Sequence, residues 1–368
     1  YRAISISPVI SKIFEHCVLS RYSEFLASSA NQFGFKKGYS CNHAIFSVRK
    51  VVECYVSGGS TVNICLLDLS KSFDNMNHFA LFIKLMDKGL PVKILSVLEN
   101  GFSLCLSCVK WNSMMSHFYQ LETGVRQGGV LSPFLFSIFI DDLVKLVNKS
   151  NVGCRIGTCC VGIFLYADDV ILLAPSVQAL QSLVTICESE LSYLDMTINE
   201  KKSACMRFGP RYKSVCANVV TASGNVIDWV NSARYLGIYL ESSFNFKCTF
   251  SANKAGFYRA FNSIFGKVAR NATEDVLLEL IRSKCLPILY YGIESCPVNS
   301  AIRHSLQFAV NRVLFKIFGS MSNDEYIEVG NYFGLLSVDE TISVRQNKFS
   351  AHYFNSINVV CECICSRQ

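Results

Sequence analysis

The sequence is short of charge, of proline and of tryptophan, and it has no long uninterrupted apolar run. Only 17% of its 368 residues are Asp, Glu, Lys or Arg, against 51% that are hydrophobic. A chain with so little charge has enough apolar surface to build a core, which excludes disorder over most of its length. No uncharged stretch reaches the roughly 18 apolar residues that a membrane-spanning helix needs, so no membrane partner is expected. The start, Tyr-Arg-Ala-Ile-Ser, has neither Met nor the basic and apolar regions of a secretory signal, and it reads as a soluble piece cut from a longer polypeptide. Internal repeats and low-complexity tracts are missing too, which sets aside solenoids and fibres. Eighteen cysteines are too sparse for a disulfide-stapled secreted domain and read as buried, reduced thiols of an intracellular protein. Cys105 and Cys108 form a CxxC without the second pair or the histidines that tetrahedral zinc requires.

What is present is a chain long enough for two or three domains, with a formal charge of +7 that permits a phosphate-bearing partner without demanding one. The first sixty residues are mixed and basic and close on a Gly-Ser loop at Ser57-Gly58-Gly59-Ser60. Val62 to Leu69 is a nearly continuous apolar run, the pattern of a strand buried on both faces, and it leads into Asp68 and Ser70. Asn77 to Leu85 has helical spacing. Leu131 to Leu146 reads as one long buried helix entered at Ser132-Pro133. Gly162 to Ala174 has two apolar arms around Ala167-Asp168-Asp169, the pattern of a β-hairpin with two acids at its tip. Val177 to Leu194 is an amphipathic helix, and short strands are expected around Cys205 to Phe208 and Tyr235 to Leu240. Beyond residue 245 the pattern is helical, with Thr273 as an N-cap and Val276 to Leu286 periodic. The fold class is therefore α+β and not a regular βαβ repeat.

Asp68, Asp168 and Asp169 end or cap apolar strands, where a carboxylate is costly unless it is paired or holds a metal. Asp-Asp in a hairpin turn is also an ordinary turn signal. Hard acids gathered from a strand end and a hairpin tip suit oxygen-seeking cations, two of which can clamp the oxygens of an in-line phosphoryl transfer.

Seven ordered blocks carry a resemblance. They are Tyr1-Arg-Ala-Ile-Ser with Ser11-Lys-Ile-Phe-Glu15, Gln32-Phe-Gly-Phe-Lys-Lys-Gly-Tyr-Ser40, Leu67-Asp-Leu-Ser-Lys-Ser-Phe-Asp74, Gly124-Val-Arg-Gln-Gly-Gly-Val-Leu-Ser-Pro133, Tyr166-Ala-Asp-Asp169, Asn199-Glu-Lys-Lys-Ser203 and Arg234-Tyr-Leu-Gly-Ile238. Together the chain resembles the reverse transcriptases of non-LTR, LINE-type retrotransposons. The resemblance implies a right-hand polymerase, with fingers and palm over 1–240, a helical thumb over 241–325 and a helical continuation over 326–368. It implies an RNA-directed DNA polymerase that adds dNTPs to a DNA primer on an RNA template, acting as a ribonucleoprotein in nucleus and cytoplasm. The alternative is an inactive or repurposed copy that binds nucleic acid without polymerising.

By the same resemblance Asp68, Asp168 and Asp169 are the catalytic acids, holding two Mg²⁺ ions for which Mn²⁺ can substitute. Phe73 excludes a 2′-hydroxyl, Gln127 faces the incoming nucleotide, and Lys202 is a general acid for pyrophosphate. Lys36 stands where Arg is usual in the fingers and is expected at the triphosphate, without the bidentate fork. Ser72 stands where Ala is common, and Gly129 where Ser or Asp is more frequent. Between Lys247 and Lys284 seven basic residues face three acidic ones. Lys254, Arg259, Lys267 and Arg270 are the expected phosphate contacts. Phe257, Tyr258 and Phe261 are expected to serve as helix core rather than as base-stacking platforms.

Overall fold

The computed structural model describes residues 5–269, 271–319 and 322–366. In chain order it contains α1 (Val9–Arg21), α2 (Cys41–Ser57), β1 (Val62–Leu67), α3 (His78–Asp87), α4 (Val92–Ser103), α5 (Ser132–Phe139), α6 (Asp141–Ser150), β2 (Ile163–Tyr166), β3 (Asp169–Ala174), α7 (Val177–Tyr193) and β4 (Ala204–Phe208). There follow β5 (Ser232–Tyr235), β6 (Ile238–Glu241), β7 (Lys247–Thr249), α8 (Ser251–Val268), α9 (Glu274–Leu280), α10 (Leu286–Leu289), α11 (Ser300–Phe318), α12 (Asn323–Tyr332), α13 (Val338–Phe354) and α14 (Val359–Cys365). Short two-residue ladders decorate the connections. Two compact units result. One holds the residues up to Ser40 with Val62–Met206 and Ser214–Trp229; the other holds Cys41–Thr61, Arg207–Lys213 and the residues from Val230 onward.

Four strands form a sheet in the order β4-β1-β3-β2, with β1, β2, β3 and Ala204–Met206 of β4 in the first unit. β1 runs antiparallel to β3, from Asn63 opposite Ala174 to Leu67 opposite Val170. β3 folds back on β2, ending with Tyr166 opposite Asp169, so the expected hairpin is present. Cys65, Leu67, Leu165, Val170 and Leu172 share one core with Phe136, Phe139, Leu143 and Leu183 of α5, α6 and α7. The alternate positions Ile64, Phe164 and Ile171 are also fully buried, Phe164 against Phe33. Side chains alternate along a strand, so a sheet covered on both faces needs an apolar residue at nearly every position. That is why β1 and β3 are continuous apolar runs.

The expected long helix from Leu131 to Leu146 is instead two helices, α5 and α6, separated at Ile140 with φ −96° and ψ 2°. The break comes from acids that periodicity ignores. Asp141 accepts the Ser29 N–H at 2.6 Å and lies 3.6 Å from Lys88. Asp142 binds Lys84 and Lys145, each at 2.5 Å. Burial pushes the Asp142 carboxyl up, but these two ammonium groups outweigh it and hold it below the usual carboxylate range. Both acids occupy the first turn of α6, where the helix dipole favours negative charge.

In the second unit β5, β6 and β7 form an antiparallel sheet. The single strand expected over Tyr235 to Leu240 is a hairpin turning at Leu236-Gly237, whose φ angles of 44° and 85° give the left-handed pair that tight hairpins require. Residues 41–57, which sequence pattern left as part of a mixed basic stretch, form α2. Its Phe46 packs on Phe349 and Tyr353 of α13, with ring centroids 5.4 and 4.6 Å away. Ser47 and Tyr353 hydroxyls lie 2.7 Å apart, and His43 Nε2 and His352 Nδ1 3.1 Å apart. Burial, reinforced by His352, lowers the His43 pKa to about 4. Thr273 is the N-cap residue of α9 without a side-chain cap bond, and the expected helix to Leu286 passes through a π-helical turn at Ile281–Cys285. Phe257 and Phe261 are buried, in the core role expected of them. Among the described residues no helix is long and apolar enough to cross a membrane.

Candidate active site

Asp68 follows β1 directly and Asp169 opens β3, so the β1–β3 register brings both acids to one end of adjacent strands. Ala167 and Asp168 make the two-residue turn between β2 and β3. Ala167 has φ 57°, a left-handed conformation uncommon for a residue with a Cβ. The three carboxylates expected to act together therefore share one sheet end.

The hairpin, the strand end at Asp68 and the glycine-rich turn are each braced by a block more than a hundred residues away. At the hairpin the brace is Asn31 to Gly34. Asn31 donates to the carbonyls of Cys160 and Ile163 at 3.1 and 2.8 Å, and its backbone carbonyl accepts from Leu165 N–H at 2.9 Å. The Gln32 side-chain oxygen accepts from Ala167 N–H at 3.2 Å and Gly34 N–H at 2.9 Å. A Cβ on Gly34 would lie 2.4 Å from the Ala167 nitrogen, so only glycine fits there.

Asp68 is braced by the block from Asn199 to Ser203. Asn199 N–H donates to the Asp68 carbonyl at 2.8 Å, and Asp68 N–H to Ser203 Oγ at 3.0 Å. Lys202 Nζ stands 3.8 Å from Asp68 Oδ2, with the two side chains 69% and 41% exposed. At that exposure the ion pair itself is worth little, and its content is the placement of a mobile cation at the carboxylate. Ser72, buried, donates to Asp168 Oδ2 at 3.3 Å, so the hydroxyl that replaces a common alanine orients an acid.

Phe73 and Gln127 lie on two loops zipped together. Val125 N–H donates to the Phe73 carbonyl and Gly124 N–H to the Met76 carbonyl, each at 2.8 Å. Gly124, with φ 80°, would place a Cβ 2.6 Å from the Asp74 carbonyl oxygen. Gln127 Nε2 donates to Asp74 Oδ1 at 3.0 Å. The Phe73 ring stacks on Phe136 at 4.4 Å and meets Phe35 edge-on at 6.3 Å. The third brace is Glu15, whose Oε2 accepts from Val130 and Leu131 N–H at 2.5 and 3.0 Å and ties α1 to the glycine-rich turn.

Lys36 is not directed at the acids. Its ammonium donates to the carbonyls of Ser28 and Ser29 at 3.0 and 2.6 Å. Burial lowers its pKa to about 8, with Asp141 opposing the shift and Lys88 adding to it. Its neighbour Lys37 is exposed. In the second unit Arg259 and Lys267 are exposed on α8, and Lys254 donates to Ser305 Oγ at 2.6 Å. Arg270 lies outside the described residues. The braces Glu15, Asn31, Gln32, Gly34, Asp74 and Ser203 were not singled out by sequence, although most sit inside the quoted blocks, and Ser72 was noted only as a departure from a common alanine.

Among the described residues no three His, Cys, Asp or Glu side chains close on a common point. The donors at the sheet end are carboxylate oxygens open to solvent. That set suits a hard divalent cation that keeps waters and takes phosphate oxygens from a substrate, rather than a sealed structural ion.

The family profile "Reverse transcriptase (RNA-dependent DNA polymerase)" matches residues 1–240. The chain belongs to the reverse transcriptase family. With that membership its α+β architecture is a right-hand polymerase fold, and the resemblance to non-LTR retrotransposon enzymes holds. Over 363 residues the chain is 23% identical to the "Probable RNA-directed DNA polymerase from transposon BS" of Drosophila melanogaster, covering 95% of this chain and 40% of that protein. Over 314 residues it is 27% identical to the "RNA-directed DNA polymerase from mobile element jockey" of Drosophila funebris, covering 80% and 33%. The chain thus spans less than half the length of these relatives. Among solved structures, a telomerase from Candida albicans aligns with TM-score 0.49 and 12% identity, covering 89% of this chain and 56% of the telomerase. Reverse transcriptases generally use divalent metal ions, which the carboxylate donor set of Asp68, Asp168 and Asp169 fits.

Proposed function

We propose that this chain is the polymerase portion of a non-LTR retrotransposon protein, joining dNTPs to the 3′-hydroxyl of a DNA primer on an RNA template. The observation that carries the reading is the placement of Asp68, Asp168 and Asp169 at one sheet end, in a chain of the reverse transcriptase family. Residues 1–240 would serve as fingers and palm, 241–325 as thumb and 326–368 as a helical continuation. Its eighteen cysteines, none of them in a disulfide where described, suit a reducing intracellular setting, and we assign it to nucleus and cytoplasm as a ribonucleoprotein.

Asp68, Asp168 and Asp169 would hold two divalent ions, Mg²⁺ or in its place Mn²⁺. The chemistry such ions supply when bound is activation of the primer hydroxyl and neutralisation of charge on the triphosphate. Ser72 keeps Asp168 oriented by its hydrogen bond. Lys202, beside Asp68 and free to swing in solvent, would deliver a proton to the departing pyrophosphate. Phe73, held between Phe136 and Phe35, presents a rigid edge suited to excluding a 2′-hydroxyl. Gln127, aimed by Asp74, would contact the nascent base pair. Lys36 would have to leave the Ser28 and Ser29 carbonyls to reach a triphosphate. Lys254, Arg259, Lys267 and Arg270 would contact the phosphates of the duplex.

The test is extension of a labelled DNA primer on RNA by the purified chain with Mg²⁺ and dNTPs. Asp168→Asn and Asp68→Asn are each expected to lower incorporation at least about a thousandfold while duplex affinity stays within about twofold. Extension retained by either variant would remove that acid from the site. Duplex binding without extension by the unaltered chain would leave only a nucleic-acid binder. Phe73→Ala is expected to raise the ratio of rNTP to dNTP incorporation by about tenfold or more, and an unchanged ratio would return Phe73 to the core.

A further inference from the structure

We propose that Gln32 is a positioning residue that sets the Ala167-Asp168 turn and through it the two hairpin carboxylates; this rests on the polymerase reading above.

Gln32 is completely buried, a place where a long amide gains nothing over an apolar side chain unless it is used. Its oxygen is used twice. It accepts from Ala167 N–H at 3.2 Å and from Gly34 N–H at 2.9 Å, joining its own loop to the tip of the hairpin across 135 residues of sequence. The other amide atom, Nε2, is buried and has no hydrogen-bond partner among the described residues. The site thus tolerates a desolvated, unsatisfied donor in order to place one acceptor at the turn. A residue selected for stability alone would be Met or Leu, which carry no such penalty.

The turn needs such an acceptor. Ala167 holds φ 57° in a conformation that relaxes when its amide is released, and Asp168 and Asp169 follow it directly. The surrounding contacts act in the same direction. Gln32 pairs with Leu165 as an isolated parallel bridge, Phe33 N–H donates to the Leu165 carbonyl at 2.8 Å, and Gly34 lies against the Tyr166-Ala167 backbone. Backbone pairing fixes the arm of the hairpin, and the Gln32 oxygen fixes its tip. Asp68, held by the other brace, is independent of Gln32, so a loosened tip would leave one carboxylate in place and move two.

The experiment compares the unaltered chain with Gln32→Met and Gln32→Glu by two readouts. The first is hydrogen exchange at the Ala167 and Gly34 amides, resolved by fragmentation mass spectrometry. Gln32→Met is expected to speed exchange at both at least tenfold while Leu172 in the middle of β3 is unchanged. Gln32→Glu, which keeps an acceptor oxygen at the same reach, restores protection. The second is primer extension. Gln32→Met is expected to lower kcat at least tenfold, with the dNTP KM, duplex affinity and thermal midpoint nearly unchanged, and Gln32→Glu is expected to recover most of the rate. Three results would overturn the proposal: equal exchange in all three proteins, lost protection with an unchanged kcat, or a collapse of the thermal midpoint in both variants. Absence of extension by the unaltered chain would overturn the polymerase reading, while amide exchange would still decide whether Gln32 holds the turn.

Discussion

Two regions of the molecule bury polar side chains between segments far apart in sequence, and they end differently. Between the Asn31–Gly34 loop and the β2–β3 hairpin, amide groups meet backbone N–H and carbonyl groups, and the hairpin they hold runs out into carboxylates open to water. Between α2 and α13, side chain meets side chain, His43 with His352 and Ser47 with Tyr353, and the rings of Phe46 and Phe349 seal them. The first arrangement spends buried hydrogen bonds on the exact conformation of a few backbone atoms. The second joins two helices that their aromatic contacts already orient. A buried polar contact is therefore functional or architectural according to what lies beyond it, and the two regions should separate activity from stability.

The largest expected effect is on the hairpin side. Gly34→Ala would push a Cβ to 2.4 Å from the Ala167 nitrogen, and since misplacing reacting groups by about 1 Å can cost about a hundredfold, primer extension should fall by about that factor. The thermal midpoint should change far less, and a parallel loss of both would collapse the distinction between the regions. On the α2–α13 side the lever is pH. His43 has its pKa lowered to about 4 by burial and by His352, so the unfolded chain binds the proton first as pH falls. Stability is then full above about pH 6.5 and declines between about 6.5 and 4, by about 3 kcal/mol for this group. Denaturant titration of the unaltered chain and of His43→Phe across that range would measure it, and an equally steep acid loss in the variant would exonerate His43. The smallest effect is expected where charge is simply solvated. Replacing Arg259 and Lys267 of α8 together by Ala should weaken duplex binding severalfold and reduce its logarithmic salt slope by about 2. An unchanged slope would take these side chains off the phosphate backbone.

Much of the site was legible because its chemistry is written in residue type and order. The carboxylates at strand ends, the helix entry at Ser132-Pro133 and the acid-tipped hairpin all stand where pattern put them. Pattern failed where a local rule met a distant partner. The apolar run through Phe139 and Ile140 has helical periodicity throughout, yet Ser29 and Lys88 capture Asp141 and start a new helix. In residues 41–57 Ala44, Val48, Val51 and Val52 recur at helical spacing, and Arg49 and Lys50 among them mask that period.

By itself the sequence determined the strands of the carboxylate-bearing sheet, its hairpin, the kind of atoms the site offers and membership of a polymerase family, because alternation, turn chemistry and residue identity act over a few neighbouring positions. Only the tertiary structure decided which block braces which: Glu15 the glycine-rich turn, Gln32 and Gly34 the hairpin tip, Asn199 to Ser203 the strand end at Asp68. Those pairings close loops of more than a hundred residues. A buried donor takes whichever acceptor the folded chain brings within about 3 Å, and no local pattern records which one that is.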